Sequence, residues 1–304
     1  MKKVITAKEL KLRQYWVKEI QKLSGNFGDD FERLESELVA ELKRSGVGVL
    51  ISHLRLCGDI PESYGHDSSE EKLYSKYTDT LLSLAYKSLG MKSLVLKERA
   101  DAADVEAFAG KFSFVADAKC FRLSRTAKNQ KDFKISAMDG WKRGKPYAMV
   151  VCPIYQLPRA TSQIYEQAVR RNVCIFTYSH LVLLLNYFIV DGTAKAEMLL
   201  QKIFQTVAAL NPTKSSLDYW LSVNRAILSF SPKIEALWMI EKQAASESVE
   251  VAKAEGLLFL AAERERIMRM THDEALMALL EVHRIENRIK IIRSVSDSGL
   301  FSLK

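Results

Sequence analysis

The stretch Phe112-Ser-Phe-Val-Ala-Asp-Ala-Lys-Cys-Phe121 sets an acid and a base inside an otherwise apolar run. The spacing predicts a β-strand. In a strand Asp117 and Lys119 are two residues apart and project from the same face of the pleat, separated by the small Ala118. A buried charge is costly unless it is paired, hydrated or bound to a metal. A strand carrying D-x-K therefore reads as a site.

Around this strand the pattern alternates between strand and helix. Asp104 to Gly110 and Lys111 to Phe121 form a pair of strands joined by a tight turn at Gly110. Thr126 to Trp141 follows as one helix with Phe133, Ala137, Met138 and Trp141 on its inner face. Tyr147–Cys152 and Asn172–Tyr178 are β-branched and aromatic, as buried strands are, with a helix from Arg159 to Arg171 between them. This order builds an α/β fold with helices over a central sheet.

Upstream, helices are expected at Ala7–Leu23, Asp29–Arg44 and from Ser68 or Ser69 to Leu89, the last closed by Gly90. Gly46–Cys57 is apolar and reads equally as helix or strand. Beyond Ser179 the chain is almost entirely helical: His180–Tyr187, Ala194–Leu210, Ser216–Leu228, Pro232–Met268 with breaks, and His272–Ile292. Tyr219, Trp220, Phe230 and Trp238 read as packing residues rather than a base-stacking platform. The expected organisation is an N-terminal helical segment (1–67), an α/β core (68–190) and a helical C-terminal region (191–304), or one compact domain throughout.

The 304 residues carry a formal charge of +8, which suggests a polyanionic partner. Cys57, Cys120, Cys152 and Cys174 lack any C-x-x-C pairing, which argues against a zinc ribbon or disulfide framework and for a reducing cytoplasm. The longest apolar run, Leu181–Val190, is too short to span a bilayer and contains Asn186, so no membrane association is expected. The histidines lack zinc-ligand spacing. No Walker A loop, H-E-x-x-H or G-x-S-x-G occurs, so ATP use, zinc proteolysis and α/β-hydrolase chemistry lack their signatures.

Asp104 begins the strand before Asp117, so a hairpin brings two carboxylates and Lys119 together. Hard cations such as Mg²⁺ take carboxylates, with the Ala118 carbonyl as a further oxygen. Lys119 beside the metal would orient or deprotonate a water and offset negative charge. Lys119, Arg122, Arg125, Lys128, Lys131 and Lys134 then recur every third residue with Asp132 as the one acid, a local charge of +5 suited to a phosphate backbone. Asn129 and Gln130 add side chains able to pair with adenine. Alone, these features also fit an edge strand with locally paired charges and a solvated basic helix start.

Val115-Ala-Asp-Ala-Lys-Cys-Phe-Arg-Leu-Ser-Arg-Thr-Ala-Lys-Asn-Gln-Lys-Asp-Phe-Lys134 resembles, nearly residue for residue, the active-site segment of the HindIII-type restriction endonucleases. Glu71-Lys-Leu-Tyr-Ser-Lys76 and Asp104-Val105 support the resemblance, which covers residues 68–190 well. It implies a PD-(D/E)xK restriction-endonuclease-like core with a mixed central sheet, flanked by N-terminal and C-terminal helices. It also implies a Mg²⁺-dependent homodimer that cuts double-stranded DNA at AAGCTT after the first A, paired with a separate DNA methyltransferase. By position Asp104 matches the first acid, Asp117 the second and Lys119 the lysine, while Asp132 and Lys134 match family residues near the site. Ala103 stands where the family's label has proline. Glu71 or Asp79, a helix acid upstream, would also lean on the site. A DNA-binding or repair protein of the same fold, inactive or structure-specific, is the alternative.

Overall fold

A computed structural model describes residues 3–96, 102–125 and 130–295. Helices α1 (Ala7–Ile20), α2 (Phe27–Ser45) and α3 (Val47–Leu56) open the chain, so the ambiguous 46–57 run is a helix. Thr6 and Glu9 close a capping box at the start of α1, and the Asn26 side chain accepts backbone N–H groups at the start of α2. Helix α4 (Ser69–Ser88) is capped by the Ser68 hydroxyl and ends at Gly90, whose φ of 89° lets the Met91 N–H turn back onto the Tyr86 carbonyl. From Tyr77 to Tyr86 every residue of α4 is buried. This is the helix the sheet is laid against.

The sheet contains β1 (Lys92–Val95), β2 (Val105–Phe108), β3 (Ser113–Ala118), β4 (Tyr147–Cys152) and β5 (Val173–Thr177), in that spatial order. Between β3 and β4 lie the short helices α5 (Gln130–Phe133) and α6 (Ile135–Trp141), and between β4 and β5 lies α7 (Gln163–Arg170). The pairs β1/β2 and β2/β3 are antiparallel, whereas β3/β4 and β4/β5 are parallel. The expected mixed sheet is therefore present, with the antiparallel half built by hairpins and the parallel half by helical crossovers. Edge strand β1 was absent from the sequence expectation.

Helix α8 (Tyr178–Asp191) leads directly out of β5 and is followed by α9 (Thr193–Ala208), α10 (Ser216–Leu228) and α11 (Lys233–Met268). Phe204 of α9 stacks on Tyr147 and meets Phe114, which in turn takes Tyr86 of α4 edge-on. These rings join helices to sheet through the middle of the core. All four cysteines are buried and none is in a disulfide, as small core hydrophobes are. Met1–Gly256 forms one compact unit, holding the N-terminal helices and the sheet together. The second unit, Leu257–Lys304, comprises the end of α11 with α12 (His272–Val282) and α13 (Ile285–Ser294), and no residue of those two helices is buried.

Three expected boundaries change. The helix expected over 126–141 is two pieces, because Lys134 adopts a left-handed φ of 48°; Phe133, Ile135 and Met138 form its buried side, with Ala137 and Trp141 only half-buried. Residues 126–129 lie outside the described residues. Helix α11 runs without the expected breaks, and the expected 272–292 helix breaks at Arg284, where φ is 51°. Among the described residues no helix is long and apolar enough to cross a membrane.

Strand β5 is an edge, and an edge leaves backbone groups open. The Tyr219 hydroxyl closes it, accepting from the Ile175 N–H at 2.7 Å and donating to the Ile175 carbonyl at 2.9 Å. Removing the hydroxyl strands two buried backbone groups. Tyr219→Phe is expected to lower the unfolding free energy by about 1–3 kcal/mol, as read by urea denaturation; an unchanged midpoint would refute the strand-closing role.

Candidate active site

Asp117 is the fifth of six residues in β3 and is wholly buried. Its neighbours are fixed by the ladder. Val105 pairs with Ala116, so one step further along the hairpin Asp104 stands beside Asp117. Lys119 continues the strand: its N–H donates to the Val151 carbonyl at 2.7 Å, and its own carbonyl accepts the Tyr178 hydroxyl at 3.0 Å. The backbone is held from both sides, which aims the side chain back along Asp117. Lys119 Nζ lies 2.5 Å from Asp117 Oδ2.

A third acid comes from α4. Asp79, Asp104 and Asp117 each present a carboxylate oxygen, and these atoms all lie within 4.8 Å of one another. Asp79 is 2% exposed. Lys76, one turn earlier on α4, sits 3.4 Å from Asp79 Oδ2 and 3.4 Å from Asp104 Oδ1. Three carboxylates thus face two ammonium groups in a cleft of about 750 Å³.

The electrostatics follow from burial and crowding. Burial raises Asp79 well above the ordinary carboxylate range, and the charge on Asp104 adds to it. Burial likewise pushes Asp117 up to about 6 against the pull of Lys119, with Asp104 adding to the rise. Asp104 is driven the other way: burial opposes ionisation, but a hydrogen bond from the Asp117 carboxyl and the charges of Lys76, Lys119 and Lys134 outweigh it. Of this pair Asp117 is therefore the more readily protonated. Lys119 is raised because Asp117, Asp104 and Asp79 outweigh its own desolvation, so its ammonium stays charged.

These residues fit a hard divalent cation. The donor set is all carboxylate, and both Asp117 oxygens are buried without a hydrogen-bond donor of good geometry, Lys119 being in ionic contact only. Ala118 lines the same cleft.

The structure brings to this cleft each expected residue whose side chain it describes. Asp104, Asp117, Lys119, Arg122, Arg125, Asp132 and Lys134 line it. Lys128 and Asn129 lie outside the described residues, and of Lys131 only the backbone, in α5, is described. Arg122 is turned inward: it donates to the Tyr64 carbonyl at 2.7 Å and the Gly65 carbonyl at 2.9 Å, and it pairs with Glu71. It pins the loop before α4 to the chain leaving β3. Arg125 contacts Asp132 at 2.5 Å and lies over the Phe121 ring. Asp132 is thus a wall of the cleft, apart from the three-carboxylate cluster. Glu71, half-buried, groups with the exposed His66 and Asp67 elsewhere along the same cleft, apart from the three-carboxylate cluster.

Of the two upstream acids, then, Asp79 joins the cluster, and Lys76 was missed altogether. The available signal was an aspartate in the apolar run Tyr77-Thr-Asp-Thr-Leu-Leu, a charge that a buried helix face does not carry without a partner.

A sequence model of the HindIII restriction endonuclease family matches residues 13–296. The chain belongs to that family. The type II restriction enzyme HindIII of Haemophilus influenzae is 40% identical over 158 residues, 51% of this chain and 53% of that protein. The chain thus spans about half the length of the curated relative it matches. The mixed sheet with its acids at the end of β3 is consistent with the restriction-endonuclease-like fold of the family.

The buried acids give a pH signature to the metal-free chain. Asp117 titrates near 6 when folded against an ordinary 3.8, so its contribution to stability is full below about pH 4 and is lost as pH rises through 6. Asp79, also raised, acts in the same direction. With a chelator present, calorimetric stability of the wild type should fall between pH 5 and pH 7.5 by about 1.4 kcal/mol more than that of Asp117→Asn. Parallel curves for the two proteins would show that Asp117 is already ionised in the fold.

Proposed function

We propose that this chain is a type II site-specific endodeoxyribonuclease that hydrolyses phosphodiester bonds of duplex DNA at AAGCTT, after the first A, with Mg²⁺. One observation carries the reading: a buried three-carboxylate cluster with an adjoining lysine, in a cleft of a chain whose family is restriction endonucleases. Asp79, Asp104 and Asp117, with the Ala118 carbonyl, would hold the cation. When bound, the cation supplies Lewis-acid polarisation of the phosphoryl oxygens and lowers the pKa of water.

The chain's own groups do the rest. Asp117 acts as a ligand in its ionised form, and Lys119 Nζ stays beside it to hold that negative charge. Because Lys119 is kept protonated by Asp117, it serves as a donor to the attacking water or to a non-bridging oxygen, offsetting charge as the phosphorane-like state develops. This favours the orienting role over deprotonation of the water. Lys134, whose charge reaches Asp104, stands on the cleft wall where the phosphate backbone would enter.

A palindrome read by one chain asks for two-fold symmetry, so the working form is a homodimer with one cleft per strand. The host would need a separate methyltransferase to shield its own AAGCTT sites. Buried cysteines that form no disulfide suit the cytoplasm, where such an enzyme meets incoming DNA.

Incubating plasmid with the protein and Mg²⁺ tests the reading, since discrete fragments ending at AAGCTT are expected and intact or randomly nicked plasmid would overturn it. Asp117→Asn, Lys119→Met and Asp79→Asn should each cut roughly 10³-fold more slowly or worse, while gel-shift binding of an AAGCTT duplex in Ca²⁺ persists for Lys119→Met. Cleavage at the wild-type rate by Asp79→Asn would remove the helix acid from the machinery.

A further inference from the structure

Three carboxylates face two ammonium groups in the cleft, and the two lysines are not equivalent. Lys119 serves Asp117, and its backbone is fixed by Val151 and Tyr178. Lys76 bridges the other two acids at 3.4 Å each, hangs on a flexible four-carbon stem, and keeps a fifth of its side chain exposed at the cleft. Its contacts with Asp79 and Asp104 use oxygens that a divalent cation would also need. An ammonium and a divalent cation on the same oxygens repel strongly in a partly desolvated site. Without Lys76, Asp79 and Asp104 would lose the one cation that both contact whenever the divalent ion is absent, leaving the more distant charges of Lys119 and Lys134, and buried acids tolerate such a loss poorly.

We infer that Lys76 is a place-holder cation: it neutralises Asp79 and Asp104 in the metal-free chain and swings out of the cleft when a divalent cation binds. This rests on the metal-dependent reading of the same site. It gives the chain a stable resting state and sets the cation affinity lower than three acids alone would. Lys76 is in this sense a positioning residue, acting on the acids rather than on the phosphate.

Calorimetric titration of the full chain with Mn²⁺, in the absence of DNA, tests it. Lys76→Met should bind Mn²⁺ roughly ten-fold more tightly than the wild type, while Lys76→Arg, which keeps the charge, stays close to it. Metal-free Lys76→Met should also melt lower than the wild type and gain more from Mn²⁺. Asp117→Asn separates the two readings. Wild-type binding that Asp117→Asn abolishes but Lys76→Met leaves unchanged or weakens would overturn the place-holder alone. A wild-type chain that takes up no Mn²⁺ would overturn both. Should Lys76→Met fail to fold, a crystal of the wild type soaked in Mn²⁺ decides: Lys76 Nζ is expected beyond about 4 Å from Asp104, outside ion-pair range, and an unmoved ammonium beside the bound ion would overturn the inference.

Discussion

Crowding of three carboxylates around one point is the constraint on which the rest of the structure turns. Asp79 and Asp117 are almost wholly buried, and their oxygens and that of Asp104 lie within 4.8 Å of one another. Like charges at that range in a low dielectric cannot all ionise without compensation. The fold answers with two lysines and with a raised proton affinity at Asp79 and Asp117. With all three acids ionised that answer is incomplete, because two ammonium charges do not balance three carboxylates. The residual demand for positive charge is what makes the cluster a site rather than a piece of core.

Rigidity around the cluster is what lets it persist. Each acid comes from a different element, and each element is fixed independently. Asp117 is held by a strand paired on both sides, Asp104 by the hairpin register, and Asp79 by a helix with a hydroxyl cap at one end and a glycine turn at the other. Loosening any one would let the carboxylates drift apart and relax their repulsion, so the packing of α4 on the sheet stores the arrangement. The Phe114, Tyr86 and Phe204 contact lies under the same strand that carries Asp117. Core packing and site geometry are one mechanical system here.

What the sequence revealed follows from which signals are local. Phe112–Phe121 was readable as a strand because its apolar run is long, and the Asp104 partner followed because a hairpin is a short-range device. Strand β1 was not, since Lys92-Ser-Leu-Val is four residues long, lies at an edge and is partly exposed, with little periodicity to register. Lys134 breaks its helix through a left-handed backbone with no glycine to announce it. Asp79 was visible as an acid near the site but not as a member of the cluster, because a helix that is buried nearly all round does not say which side chain meets the sheet's end. Arg122 shows the converse: spacing every third residue reads as a solvent-facing basic run, whereas its partners are carbonyls of a loop about sixty residues earlier, which no local pattern encodes.

Arg122 and Arg125 also change how the charge of the segment after β3 is counted. Spread evenly, its +5 would act as a strong electrostatic footprint. Arg122 is instead committed to the loop before α4 and Arg125 to Asp132, so neither offers an unencumbered charge to a phosphate. Under the proposed function the two play different parts. The Arg122 bonds to the Tyr64 and Gly65 carbonyls tie the loop ahead of α4 to the chain leaving β3, and exchanging them for phosphate contacts would cost that tie. The Arg125 pair is nearly half-exposed on the arginine side, so a phosphate can compete with Asp132 for the guanidinium.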